Sequence, residues 1–124
     1  MKENRKAVRV DAQGIIQIND LNSGKKASGY LKDLSISGVG FFSYDKFEIN
    51  EHIKLIFEVD KQKIFLEGTI VFASYNEANV SRYGVEIEEI NNENYEILKS
   101  YVTKGIQATW SQKIRKYSGV SYRK

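Results

Sequence analysis

The sequence HIKLIFEVDKQKIFLEGTIVFAS at residues 52–74 contains two apolar runs separated by a short polar segment. In the first run, every second residue from Ile53 to Val59 is apolar, which is the period of a half-buried strand. The second run, residues 63–74, is rich in β-branched and aromatic residues, which favour strands. The polar residues DKQK between the runs are typical of a hairpin connection. We therefore predict two antiparallel strands in the middle of the chain.

Four further runs of this kind extend the pattern along the chain, at residues 14–18, 28–34, 38–43 and 83–90. Polar or glycine-containing turns separate them, and no helical pattern lies between them. Six short strands at this spacing predict an all-β fold, either an antiparallel sandwich or a small barrel. Closure into a barrel also removes exposed sheet edges.

A different period begins after residue 91, where apolar residues recur every three or four positions as in an amphipathic helix. Asn91 or Asn92 can cap the start of this C-terminal helix. Gly105 interrupts the pattern and can divide it into two helices. We expect the apolar stripe to pack on the barrel, and a homodimer contact by residues 106–117 is the alternative.

The composition argues against several kinds of functional site. A chain of 124 residues is the size of one domain, and without cysteine it forms no disulfide and no thiolate metal site. The single histidine, His52, is expected at the surface or in a turn and supports neither a histidine-rich metal site nor a conventional catalytic triad. No nucleotide-binding loop or metal-ligand cluster is apparent, so we expect neither an enzyme nor a bound cofactor.

The charge is distributed unevenly. Residues 1–10 carry a balance of +3 and residues 105–124 a balance of +5, whereas residues 11–104 carry −5. Basic ends on an acidic body suit an anionic ligand better than DNA, which usually needs a broad basic face. There is no apolar run of membrane-spanning length and no apolar stretch typical of a signal peptide, so we expect a cytoplasmic protein.

Two short motifs contain the most informative polar residues. RKAVR at residues 5–9 places Arg5 and Arg9 four positions apart, and arginine binds phosphate bidentately and stacks on bases. DLSISG at residues 33–38 provides the Asp33 carboxylate, which can accept paired N–H donors such as those of a guanine edge. The alternatives are a solvated basic tail for the first motif and, for the second, a turn that satisfies its own backbone.

Together, and in this order, the motifs resemble those of the PilZ domain, the bacterial receptor module for cyclic di-GMP. The family pattern is RxxxR in an N-terminal loop, then a strand, then [D/N]xSxxG, and both motifs are complete here. The resemblance continues through GVGFF and RYGVEIEEI and covers about residues 3–104. It implies a six-stranded antiparallel barrel with a C-terminal helix. Residues 1–104 would form the PilZ domain with its flexible N-terminal loop, and residues 105–124 a basic helical extension.

The resemblance also implies a ligand site. The arginines of the first motif would contact phosphates and guanine faces, and the aspartate and serine of the second would contact guanine and phosphate. Glycines after the serine would allow close approach of the ligand, and Lys6 adds a point charge without a stacking plane. Asn4 stands where many members carry another arginine. The candidate residues are Arg5, Lys6, Arg9, Asp33, Ser35, Gly38 and Gly40.

Three functions follow as hypotheses. The first is a non-enzymatic cyclic di-GMP receptor that orders its N-terminal loop on binding and signals to a partner protein in motility, biofilm or secretion control. The second is a PilZ-like interaction module that binds no nucleotide. The third is a barrel for single-stranded nucleic acid, given eight tyrosines, six phenylalanines and one tryptophan. Because most of these aromatics fall in the apolar stripes, we assign them to the core, which disfavours the third.

Overall fold

The computed structural model describes residues 7–76 and 78–122, with side chains up to residue 114. This part of the chain forms strands and one C-terminal helix. The elements are β1 (Val10–Asp11), β2 (Ile15–Asp20), β3 (Lys26–Leu34), β4 (Gly38–Ser43), β5 (His52–Val59), β6 (Gln62–Tyr75), β7 (Ser81–Glu89) and α1 (Asn92–Tyr122).

Strands β2 to β7 form a closed antiparallel barrel. Around it, β2 is followed by β3, β4, β7, β6 and β5, which pairs with β2 again. The six predicted strands and the antiparallel barrel are therefore confirmed. The extra strand β1 pairs with the end of β3, where Val10 lies opposite Leu34 and Asp11 opposite Asp33. This pairing brings the residues just before β1 beside the end of β3.

The barrel interior contains a tightly packed aromatic cluster. The ring of Tyr83 lies 5.3 Å from that of Phe41 and 5.4 Å from that of Phe47, measured between centroids. The buried Tyr83 hydroxyl donates to the carbonyl oxygen of Asp45 at 3.0 Å and accepts the amide of Phe47 at 3.0 Å. The core therefore also holds the connection between β4 and β5.

The assignment of most aromatic residues to the core is wrong for six of them. Three of them lie in β6, and Trp110 is an exposed residue of α1. An apolar pattern alone does not distinguish the two faces of such a strand. The exposed aromatic side chains are Tyr30, Tyr44, Phe65, Phe72, Tyr75 and Trp110.

The C-terminal helix is continuous from Asn92 to Tyr122, so the predicted division at Gly105 is wrong. Asn91 caps its start, because the side-chain oxygen accepts the amide of Asn94 at 2.8 Å. The absence of a side chain at Gly105 instead permits contact between α1 and β1, since a Cβ there would lie only 2.8 Å from the Cβ of Val10. The predicted boundary between residues 104 and 105 falls inside this helix.

Replacing Gly105 with alanine is expected to lower the free energy of unfolding by about 1–2 kcal/mol. The new methyl group would overlap all three side-chain carbons of Val10, so we expect an overpacking cost of about 2–3 kcal/mol, which outweighs the gain of about 1 kcal/mol in helix propensity. Thermal unfolding measures the difference. The control is Thr103→Ala, an exposed position of the same helix, which should leave stability unchanged or slightly raised. A Gly105→Ala variant as stable as the wild type would contradict a tight contact.

Candidate functional site

A β-bulge near the end of β3 sets the geometry of the second motif. Leu31 lies opposite Phe41 and Asp33 opposite Gly40, which leaves Lys32 as the additional residue. The leucines on either side of this pair, at positions 31 and 34, are buried. Lys32 and Asp33 are therefore both directed to the outer face of the barrel, as bulges allow for neighbouring side chains.

The Asp33 carboxylate connects the two motifs. Its Oδ1 accepts a hydrogen bond from Nη1 of Arg9 at 2.7 Å, and its Oδ2 accepts one from Nζ of Lys32 at 3.1 Å. The carboxylate occupies the space above Gly40, where a Cβ would overlap Oδ1. Gly40 therefore makes room for the group that binds both cations. Lys32 is not among the candidate residues predicted from the sequence, because only the bulge directs its side chain to the same face of the barrel as that of Asp33.

The Arg9 guanidinium is partly withdrawn from solvent. The side chain is 29% exposed, and its Nε is buried without a hydrogen-bond partner within the described part of the chain. Its Nη2 lies close to Gly38, 3.5 Å from the position that a Cβ would occupy. The exposed part of the guanidinium can still donate hydrogen bonds to a ligand, because arginine has five N–H donors and only one of them is used by Asp33.

The turn after β3 is fixed to the barrel by its backbone. Ser35 is buried, and its Oγ accepts the amide of Ser37 at 3.2 Å. This is the alternative given for the second motif, a turn whose side chains satisfy its own backbone. The carbonyl of Ser37 accepts the amide of Ile87 at 2.9 Å. A Cβ on Gly38 would lie 3.0 Å from the carbonyl oxygen of Val85. The glycine therefore allows this turn to lie directly against β7.

Helix α1 holds β1 in place next to Arg9. The Tyr101 hydroxyl donates to the carbonyl oxygen of Asp11 at 2.9 Å. Burial raises the pKa of Tyr101, and the carboxylates of Asp60 and Asp11 raise it further, so the hydroxyl stays a proton donor. Together with the Gly105–Val10 contact, this bond attaches β1 to the helix. The position of Arg9 therefore depends on α1.

The structure brings together five of the seven candidate residues. The remaining two, Arg5 and Lys6, lie outside the described residues. A cavity of about 430 Å³ elsewhere on the barrel is lined by Lys54, Glu67 and Glu88 among others and contains none of the motif residues. The residues brought together are Arg9, Asp33, Ser35, Gly38 and Gly40.

Three further predicted features concern His52, metal binding and membrane insertion. His52 is exposed, as expected, and its Nδ1 lies 2.9 Å from Oγ1 of Thr69. Within residues 7–76 and 78–122, no three side chains of histidine, aspartate or glutamate are grouped to hold a metal ion. The described helix is not long and apolar enough to cross a membrane.

Comparisons with known proteins agree on the fold. The family model for the PilZ domain matches residues 3–104. The Bacillus subtilis inhibitor of motility MotI/DgrA superposes with a TM-score of 0.68 at 19% identity, covering 89% of this chain and 53% of that one. The PilZ domain of Escherichia coli YcgR with c-di-GMP gives 0.64 at 12% identity, covering 89% and 97%.

A third similar structure is the K. pneumonia MrkH–c-di-GMP complex, with a TM-score of 0.63 at 10% identity, covering 90% of this chain and 56% of that one. The chain therefore spans about half the length of MotI/DgrA and of MrkH. No curated protein sequence matches it. At these identities the structural likeness establishes the fold.

Proposed function

The chain belongs to the PilZ domain family, and on this basis we propose that it is a non-enzymatic receptor for cyclic di-GMP. The observation that carries the proposal is the 2.7 Å contact between Arg9 of the first motif and Asp33 of the second. These residues are 24 positions apart in the chain, and both belong to motifs suited to phosphate and guanine. Two of the similar structures contain c-di-GMP.

Each residue of the site then has a role in binding. The planar Arg9 guanidinium offers N–H donors to phosphate oxygens and a surface on which guanine stacks. The Asp33 carboxylate accepts guanine N–H groups, and Lys32 adds positive charge beside it. Gly40 leaves room for the Asp33 carboxylate, and Gly38 leaves room for the Arg9 guanidinium beside the turn.

The proposal extends to the N-terminal loop and to signalling. Arg5 would complete the clamp on the ligand, so that binding orders the loop against the barrel. The changed surface would then act on a partner protein in the cytoplasm, in the control of motility, biofilm formation or secretion. Because β1 directly follows Arg9 and is attached to α1, the ligand would also be linked to the helix.

Calorimetric titration of the whole chain with cyclic di-GMP tests the proposal. We expect a micromolar or lower dissociation constant, and much weaker binding of GTP and GMP at the same salt concentration. Absence of binding to cyclic di-GMP at low salt would contradict the receptor function. That outcome would favour the interaction module that binds no nucleotide.

A further inference from the structure

The second half of helix α1 differs from the first in its burial. Leu98 and Val102 are buried and Ile106 packs on the core, whereas every residue from 107 to 114 is exposed. Eight consecutive exposed residues make more than two helical turns, so no side of this stretch is buried by the rest of the described chain. We call residues 107–122 the distal helix. Its first turns are open to another molecule.

An apolar stripe continues from the barrel contact into the distal helix. Ile106, Trp110 and Ile114 follow one another at steps of four residues, which places them on one side of the helix, within about 80°. The side chains of Trp110 and Ile114 are 58% and 60% exposed. Gln112 occupies the opposite side. The start of the distal helix is therefore amphipathic, with its apolar side in solvent.

The same end of the chain is strongly basic. Residues 105–124 contain five lysines and arginines and no acidic residue, a charge of +5. Lys113 borders the stripe, and its Nζ lies 5.5 Å from the centroid of the Trp110 ring, a cation–π distance. Lys113 is about 10 Å along the helix from Ile106, which is more than the screening length of about 8 Å at physiological salt. The negative charge of residues 11–104 therefore does not cancel the positive field here.

We propose that the distal helix binds the surface of a membrane that contains anionic lipids. Helices that lie in the plane of the headgroups combine lysine and arginine with an apolar side that contains tryptophan, and the distal helix has this combination. Trp110 enters the headgroup region, which favours indole rings, and Lys113 beside it contacts lipid phosphates. The isoleucines of the stripe reach the boundary of the acyl chains.

The charge favours lipid over a second copy of the chain. Two distal helices side by side would bring together two segments of +5 without an acidic residue between them, and like charges destabilise such a contact. A nucleic acid would also match the charge, but Ile106 and Ile114 are aliphatic and give bases no stacking surface. An anionic lipid surface matches both the charge and the apolar side. The proposal does not depend on cyclic di-GMP binding.

Co-sedimentation of the whole chain with lipid vesicles tests the inference. We expect binding to vesicles of phosphatidylglycerol and phosphatidylcholine in equal parts, and at least tenfold weaker binding to phosphatidylcholine alone, because the anionic lipid supplies the attraction. Trp110 is the only tryptophan of the chain, so its fluorescence reports the contact directly. Its emission should move to shorter wavelength with the anionic vesicles.

Three variants locate the contact. Trp110→Ala removes the indole ring and should weaken binding to the anionic vesicles several-fold. Lys113→Glu changes the local charge by two and should weaken it about tenfold or more. The matched control, Lys26→Glu, makes the same charge change at an exposed position. It lies at the opposite end of β3 from β1, about 26 Å from Leu34, and should bind like the wild type.

The outcomes separate lipid from the other two occupants. Losses in Trp110→Ala and Lys113→Glu, at unchanged melting temperature and without a loss in Lys26→Glu, support the inference. Equal binding by all three variants, or no binding to the anionic vesicles at low salt, overturns it. An emission shift that appears without lipid as the protein concentration rises overturns it in favour of a second copy. A shift that appears only with an oligonucleotide overturns it in favour of nucleic acid.

Discussion

Replacing Arg9 with alanine is expected to weaken cyclic di-GMP binding by about 100-fold or more. The substitution removes the guanidinium that contacts Asp33 at 2.7 Å, together with the donors it would offer to the ligand. Each hydrogen bond to a charged group contributes about 1.5–3 kcal/mol, and a loss of about 2.7 kcal/mol corresponds to 100-fold. Calorimetric titration at fixed salt measures the loss.

Two matched variants show whether the loss is specific to Arg9. Arg9→Lys keeps the charge without the planar fork, so its affinity should lie between those of the wild type and Arg9→Ala. Lys104→Ala removes an exposed cation that pairs with Asp60 at 3.5 Å in another part of the molecule, and should bind normally. An Arg9→Ala variant within about threefold of the wild type, where the loss should exceed 2 kcal/mol, would contradict the assigned contact.

Replacing Gly40 with alanine is expected to weaken binding about 30-fold. The methyl group would occupy the space of Asp33 Oδ1, so the carboxylate would have to turn away from Arg9. Overpacking of this kind costs about 1–3 kcal/mol, and 2 kcal/mol corresponds to about 30-fold. The same clash should also lower the melting temperature of the unliganded protein, which thermal unfolding records.

A double-mutant cycle isolates this clash. Asp33→Ala removes the carboxylate and leaves room for the methyl group, so Gly40→Ala should destabilise the Asp33→Ala background much less than the wild type. Equal destabilisation in both backgrounds would show that the methyl group meets something other than Asp33.

The strands of the barrel could be predicted because each one is a short apolar run bounded by polar or glycine-containing turns, with a period of two in β5 and many β-branched and aromatic residues in β6. The bounds of β4 and β5 match the predicted 38–43 and 52–59. Strand β1 could not be predicted, because two residues carry no period and pair only through the end of β3. The continuity of α1 at Gly105 was missed for a related reason, since the contact with Val10 involves distant parts of the chain.

The candidate site was predictable where a motif contains the residues. Asp33 and Gly40 could be selected from the sequence, whereas their mutual contact follows from the pairing of β3 with β4. Bulges direct the side chains of Lys32 and Phe72 outward, and the local sequence pattern does not predict these bulges. The position of Arg82 beside Phe72 follows only from the pairing of β6 with β7.

The central claim is that the two motifs form one binding site for cyclic di-GMP. Titration of the nitrogen-15-labelled chain with cyclic di-GMP, followed by amide NMR spectra, tests it most directly. We predict that the amides of Arg9 and of residues 33–40 shift together, with one common dissociation constant. Shifts confined to another surface, such as the cavity lined by Lys54 and Glu67, would contradict the claim. So would a spectrum that does not change.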